Sequence, residues 1–156
     1  MYHYTFGGLR NVYLENGYEI RKTPFGEAAS FVDGQGLEAA ICAGLVEKAA
    51  RLTGAEFRFI RNGLLMSQPA LARLIGIDAQ SVARWEKTGK VPRWADRLVR
   101  LIYAGKVQGN VPIARAIERL QVVEQLTRQT LVMHERRGTW KPQLRDERQE
   151  AADCAA

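Results

Sequence analysis

Ser67-Gln68-Pro69-Ala70-Leu71-Ala72-Arg73-Leu74-Ile75-Gly76-Ile77-Asp78-Ala79-Gln80-Ser81-Val82-Ala83-Arg84-Trp85-Glu86 is the stretch on which the fold turns. Two short apolar-periodic segments flank a glycine, and each follows a residue suited to an N-cap, Ser67 and Asp78. The pattern predicts helix, turn, helix. Two helices that cross closely need a small residue where they touch, which Ala72 supplies. Gly76 admits the positive φ of the turn, and Val82 plugs the core from the second helix. On that second helix, Gln80 and Arg84 are four apart and share an outward face with Ser81, while Val82 and Trp85 lie opposite.

Outward from this stretch the apolar period stays helical. Helices are predicted at Ala55 to Met66, Gln68 to Ile75, Ala79 to Lys87, Trp94 to Tyr103 and Pro112 to Leu131, joined by short connections. Leu52-Thr53-Gly54 breaks an earlier helical stripe made by Leu37, Ala40, Ile41, Leu45 and Ala49. Before it, Arg10 to Leu14 and Tyr18 to Thr23 read as strands around the turn Glu15-Asn16-Gly17, with Ala28 to Val32 as a third. From His134 the composition turns polar and charged, which predicts partial disorder, with Trp140 as an exception able to dock on the body. The expected class is α+β, mainly α. Three parts are expected: a β-hairpin and helix domain over 1–53, a helix-turn-helix domain with a C-terminal helix over 54–131, and a polar tail over 132–156.

The 156 residues carry a net charge of +6. Residues 1–53 hold five basic and six acidic side chains (−1), residues 54–110 ten and four (+6), and residues 111–156 eight and seven (+1). The surplus therefore coincides with the helix-turn-helix, where it favours an acidic partner such as nucleic acid. No apolar run approaches the ~20 residues that span a bilayer. The N-terminus lacks a signal-peptide pattern, so a cytoplasmic location is expected. Cys42 and Cys154, with only His3 and His134, make no metal-ligand spacing. Cys42 reads as a small buried hydrophobe and Cys154 as a free thiol. With no phosphate-binding glycine loop and no nucleophile elbow, no catalytic residue, metal or cofactor is expected.

Counted from Gln68, the small residue is fifth, the glycine ninth and the β-branched residue fifteenth. With these positions, the segment Gly54 to Tyr103 resembles the Cro and phage-repressor-like (XRE) helix-turn-helix family and implies its five-helix lambda-repressor-like fold. In that family an Arg seven residues before the Gln pairs with a Glu eighteen after it; here these are Arg61 and Glu86. Arg84-Trp85-Glu86-Lys87, followed by Gly89-Lys90 and Pro92, is similar to the family's closing signature. Lys87-Thr88 stands where many members have a single residue, which implies a longer turn. The order of parts resembles antitoxins of the MqsA kind, which hold their N-terminal piece together with zinc on paired cysteines. Those cysteines are missing here, so packing by Tyr4, Phe6, Val12, Tyr13, Leu14, Tyr18, Ile20 and Phe31 is expected to take their place.

The resemblance implies a transcriptional regulator, a repressor, that binds double-stranded DNA as a homodimer. Gln80, Ser81 and Arg84 are the expected base readers, since Gln pairs with adenine and Arg with guanine in the major groove. Gln68, Lys87, Lys90 and Arg93 are expected at phosphates, with Arg73 and Asn62 as further candidates. Gln68 is equally suited to steadying the recognition helix. Arg61 and Glu86 are expected to form a structural ion pair. For the dimer surface, Leu98, Val99, Leu101, Ile102 and Tyr103, with Ile113, Ile117, Leu120, Val123, Leu126 and Leu131, form the candidate stripe, and intramolecular core is the other reading. The alternative function is an antitoxin whose N-terminal piece neutralises a toxin and which represses its own operon.

Overall fold

A computed structural model of the chain describes residues 1–109, 111–120 and 129–146, in two compact units, Met1–Gln121 and Val122–Ala156. The first is a helical body with small antiparallel pairs at its N-terminus; the second carries one hairpin. The class is mixed α+β and mainly helical.

Two strand pairs open the first unit. β1 (Tyr2–His3) pairs with β2 (Tyr13–Leu14), and β3 (Tyr18–Thr23) pairs with β4 (Gly26–Phe31). The expected hairpin around Asn16-Gly17 is thus not the one formed. Tyr18–Thr23 turns instead through Pro24-Phe25, where the Thr23 hydroxyl accepts from the Phe25 N–H (3.3 Å) and donates to the Gly26 carbonyl (2.7 Å). Proline presets the φ that opens such a turn, and the side-chain bonds close it. Tyr13-Leu14 is then free to pair with the chain's beginning. Tyr2, Tyr4, Phe6 and Phe31 form a ring cluster with centroids 5.3–5.6 Å apart. Tyr4 and Leu9 are buried, and Tyr2, Val12, Leu14 and Phe31 pack against the core. Phe6, Tyr13 and Ile20, expected in that core, are about half exposed (52%, 55% and 51%), and Tyr13 stacks on His3.

Six helices follow among the described residues: α1 (Gly34–Glu47), α2 (Gly54–Gly63), α3 (Gln68–Ile75), α4 (Ala79–Thr88), α5 (Arg93–Lys106) and α6 (Val111–Leu120). Their starts follow local capping chemistry. Asp33 accepts from the Gly36 N–H, and Thr53 with Glu56 makes a reciprocal capping box. Ser67 and Asp78 cap α3 and α4 as expected, accepting from the N–H groups of Ala70 and Gln80 at 3.1 Å each. The centre of the body is Phe57, Ile60, Leu71, Val82, Val99 and Ile102, all but inaccessible to solvent. Each such large side chain contributes about 1.5–3 kcal/mol through burial.

Residues 1–53 belong to the same unit as the helix-turn-helix, so the expected boundary at 53 is not a structural one. Polar ties explain why. The buried Glu56 carboxylate accepts from Asn11 Nδ2 (2.9 Å), Lys48 Nζ (2.8 Å) and the Thr53 N–H (2.8 Å). Asp96 on α5 accepts from the Leu52 N–H (2.8 Å) and from Arg100 Nε (2.6 Å). Arg100 in turn donates to the carbonyls of Val46, Lys48 and Ala50. The α1–α2 connection is therefore clamped to α5 and is not a free linker.

Most of the candidate dimer stripe is also claimed by this body. Val99, Ile102, Tyr103 and Ile117 are buried within it, and Leu98 and Ile113 pack against it, so the intramolecular reading holds for these six. Leu101 stays about half exposed. Val123 and Leu126 lie outside the described residues, as does Cys154, while Cys42 is buried with a free thiol.

In the second unit, β5 (Gln129–Arg136) pairs with β6 (Thr139–Asp146). Leu131, placed at a helix end by its apolar spacing, is thus a strand residue, and residues 132–146 of the expected polar tail lie in this hairpin. Arg137 and Gly138 both have positive φ (53° and 77°), which suits a two-residue turn matching the strand twist. Cross-strand partners share a face, so Met133 with Pro142 and Glu135 with Trp140 lie on one side, and His134 with Lys141 on the other. Trp140 is largely exposed.

Candidate nucleic-acid interface

The site is built from α3, its turn and α4. Ala72 is buried where the two helices meet, Gly76 ends α3 at φ 73°, and the Ile77 N–H reaches back to the Ala72 carbonyl (2.9 Å). A residue with a side chain is strained in that left-handed turn, and glycine is not. Val82 and Trp85 turn α4's inner face into the core. The Trp85 ring packs edge-on against Phe57 and Trp94, at 6.1 and 5.6 Å.

A polar lock holds α4 from its far end. Arg61, on the last turn of α2, donates from Nε to Glu86 Oε1 (2.6 Å) and from a terminal nitrogen to Glu86 Oε2 (3.0 Å). Its other terminal nitrogen donates to the Met66 carbonyl (2.7 Å). The two side chains are 9% and 4% exposed, so the pair is buried as well as bidentate. Gln68 Nε2 completes the lock on Glu86 Oε2 at 2.8 Å. Of the two roles open to Gln68, the side-chain amide is engaged in steadying α4.

With the inner face and C-terminal end fixed, α4 presents Gln80 and Arg84 to solvent, with Ser81 partly covered between them. Arg84 donates weakly to the Ser81 hydroxyl at 3.4 Å, which lays the guanidinium along the helix surface. Lys87, Lys90 and Arg93 are exposed beyond them, as is Arg73 on α3. The departure at Lys87-Thr88 is absorbed by the helix itself: α4 runs through Thr88, whose hydroxyl donates to the Arg84 carbonyl (2.7 Å), and Gly89 then caps it.

Four basic residues that the sequence did not single out lie in clefts beside this surface. A cleft of about 490 Å³ brings Arg10 beside Lys87 and the N-terminal residues Gly54 and Ala55 of α2. Another, of about 380 Å³, groups Arg51, Arg97 and Arg100 with Arg93. Arg97 is one helical turn from Arg93, a spacing legible in the sequence. Arg10 is brought in only by tertiary packing. Asn62, by contrast, lines a cleft shared with Cys42 and Tyr103. No cluster of three or more possible metal ligands occurs among the described residues, and no helix among them is long and apolar enough to cross a membrane. Set against protein-family models, curated proteins and solved structures, the chain matches none.

Proposed function

We propose that this protein is a sequence-specific regulator of transcription, a repressor, that reads the major groove of double-stranded DNA with α4 as a homodimer. One observation carries the reading: α4 is fixed by Val82, Trp85 and the buried Arg61–Glu86–Gln68 lock, while Gln80 and Arg84 stay exposed on its outer face. A rigid helix whose free side chains match adenine and guanine edges is the arrangement direct readout needs. The +6 surplus over residues 54–110 supplies the attraction to phosphate, with Lys87, Lys90 and Arg93 flanking the reading face.

A mobility-shift series tests it, using the DNA upstream of the protein's own gene, random DNA, and rising salt. The wild type is expected to prefer its own DNA, and Gln80→Ala/Arg84→Ala to lose that preference, each lost bidentate pair being worth about 1–3 kcal/mol. Equal, weak binding of both proteins to both DNAs refutes the reading. A second reading, an antitoxin that binds a toxin through its N-terminal piece, is favoured by the exposed Ile20, Phe25 and Val32 at 51%, 99% and 75%. Co-purification with the product of a neighbouring small reading frame, lost in Phe25→Ser/Val32→Ser, tests that reading. No complex with that product refutes it.

A further inference from the structure

A cleft of about 520 Å³ opens where the N-terminal piece, α1, the end of α2 and α5 meet. Its volume is in the range of small-molecule sites. Four aromatic rings line it, those of Tyr4, Phe6, Phe59 and Tyr103, together with the Cys42 thiol and the Glu38 carboxylate. Glu38 is the single ionisable carboxyl among the described residues of that lining, and it makes no hydrogen bond or ion pair with any described residue. Burial pushes the Tyr4 and Tyr103 hydroxyls and the Cys42 thiol above their ordinary values, so these three stay neutral at physiological pH. Two of the polar groups are already used inward: Cys42 Sγ lies 3.8 Å from the Phe59 carbonyl and the Tyr103 hydroxyl 3.5 Å from that of Ala39. What remains on the lining is the exposed Phe6 ring with the edges of the other three, the amides of Gln35 and Asn62, and the single carboxyl of Glu38.

We infer that this cleft binds a small hydrophobic amine in its ammonium form, the apolar body lying among the rings and the cation at Glu38. The chemistry selects that class on two counts. Ring faces attract cations as well as apolar groups, so a positively charged head gains from the same walls that accept its body. A carboxylate without a partner offers a charge-assisted hydrogen bond to an ammonium, repels an anion, and gains little from a neutral group.

The site is also placed to act on α4. Asn62 and Gly63 line it from the last turn of α2, and Leu65 lines it from the corner before α3. Leu65 holds a left-handed backbone at φ 56° and is 94% exposed, so an apolar body bound beside it would cover apolar surface now in water. Arg61, in that same turn of α2, grips Glu86 of α4. An occupant of the cleft therefore bears on the element that fixes the recognition helix, and this regulatory half rests on the DNA-binding reading while the binding half does not.

Titration calorimetry on the full chain without DNA tests the site, with 2-phenylethylammonium, tryptammonium and hexylammonium as probes. 2-Phenylethanol and phenylacetate serve as the neutral and anionic analogues. At least one ammonium is expected to saturate a single site about tenfold more tightly than the alcohol, and the carboxylate not to bind. Glu38→Gln, a change at an exposed position, is expected to abolish the preference for the cation. Ala39→Leu, which fills the lining from α1, is expected to abolish binding with the circular dichroism unchanged. Absence of saturation by all three amines, or an undiminished preference in Glu38→Gln, overturns the site and leaves the DNA reading untouched. The mobility shift repeated with saturating amine decides the regulatory half, for which a change of about fivefold or more in DNA affinity is expected. Calorimetric binding with unchanged DNA affinity removes that half alone.

Discussion

Glu86→Gln is the perturbation that probes the arrangement most directly. The substitution keeps the side chain's shape but leaves the Arg61 guanidinium, 9% exposed, against a neutral amide in a site where the Glu86 carboxylate is 4% exposed. Two charge-assisted bonds at 2.6 and 3.0 Å weaken together, and Gln68 Nε2 loses an anionic acceptor at 2.8 Å. Stranding one partner of a buried pair costs about 3–5 kcal/mol, whereas an exposed pair is worth under about 1 kcal/mol. For a body of this size the expected loss lowers Tm by about 10–20 °C. Arg61→Met should cost a similar amount, since it strands the carboxylate and also frees the Met66 carbonyl. The double variant Arg61→Met/Glu86→Gln should lose much less than the sum, because neither charge is then left without its partner. Urea denaturation followed through Trp85 and Trp94 fluorescence measures all four proteins. Single losses under about 1 kcal/mol, or simple additivity in the double variant, would refute the view that the pair is buried and coupled.

Three further outcomes are expected. Gly54→Ala puts a Cβ 2.7 Å from the Trp85 carbonyl oxygen and closer still to that of Glu86, both backbone atoms, so it should cost about 1–3 kcal/mol or more in thermal denaturation; an unchanged Tm contradicts the close approach of α2 to α4. Burial raises the Glu56 carboxyl, but bonds from Lys48, Thr53 and Asn11 outweigh it and hold the pKa below the ordinary carboxylate value. The stability it adds is therefore full above the unfolded pKa and is lost as pH falls through the lower folded value, so Glu56→Gln should flatten the acid limb of a urea-midpoint profile; parallel profiles exclude the effect. Replacing Lys87, Lys90 and Arg93 by Gln together should reduce the slope of log affinity against log salt by about 0.9 per lost phosphate contact, with little change in preference between DNAs. A loss of preference instead would make these residues base readers.

Capping and turn chemistry were legible because they are local. Ser67, Asp78 and Gly76 act within a few residues of themselves, and the α3–α4 spacing, the inward Val82 and Trp85 and the Arg61–Glu86 pair could all be read along the chain. The outward face of α4 followed from the same period. Strand pairing was not legible in this way. Tyr18–Thr23 had two competent turns beside it, and choosing Pro24-Phe25 over Asn16-Gly17 depended on Tyr2–His3 arriving to pair with Tyr13-Leu14. At the other end, Arg137-Gly138 gave a weaker turn signal than Asn-Gly, and the polar and charged composition from His134 onward resembled a solvated tail.

By itself, then, the sequence determined the helix-turn-helix and which of its residues face out, since a period of 3.6 and a few caps suffice for that. Tertiary structure alone decided whose surface the apolar stripe covers: Val99, Ile102, Tyr103 and Ile117 close the body's own core. It also decided that residues 1–53 are fastened to the helices through Glu56 and Asp96, that Arg10 joins Lys87, and that four aromatic side chains line one cleft with Glu38. Each depends on contacts between residues far apart in sequence, where the spacing of a pattern carries no distance information.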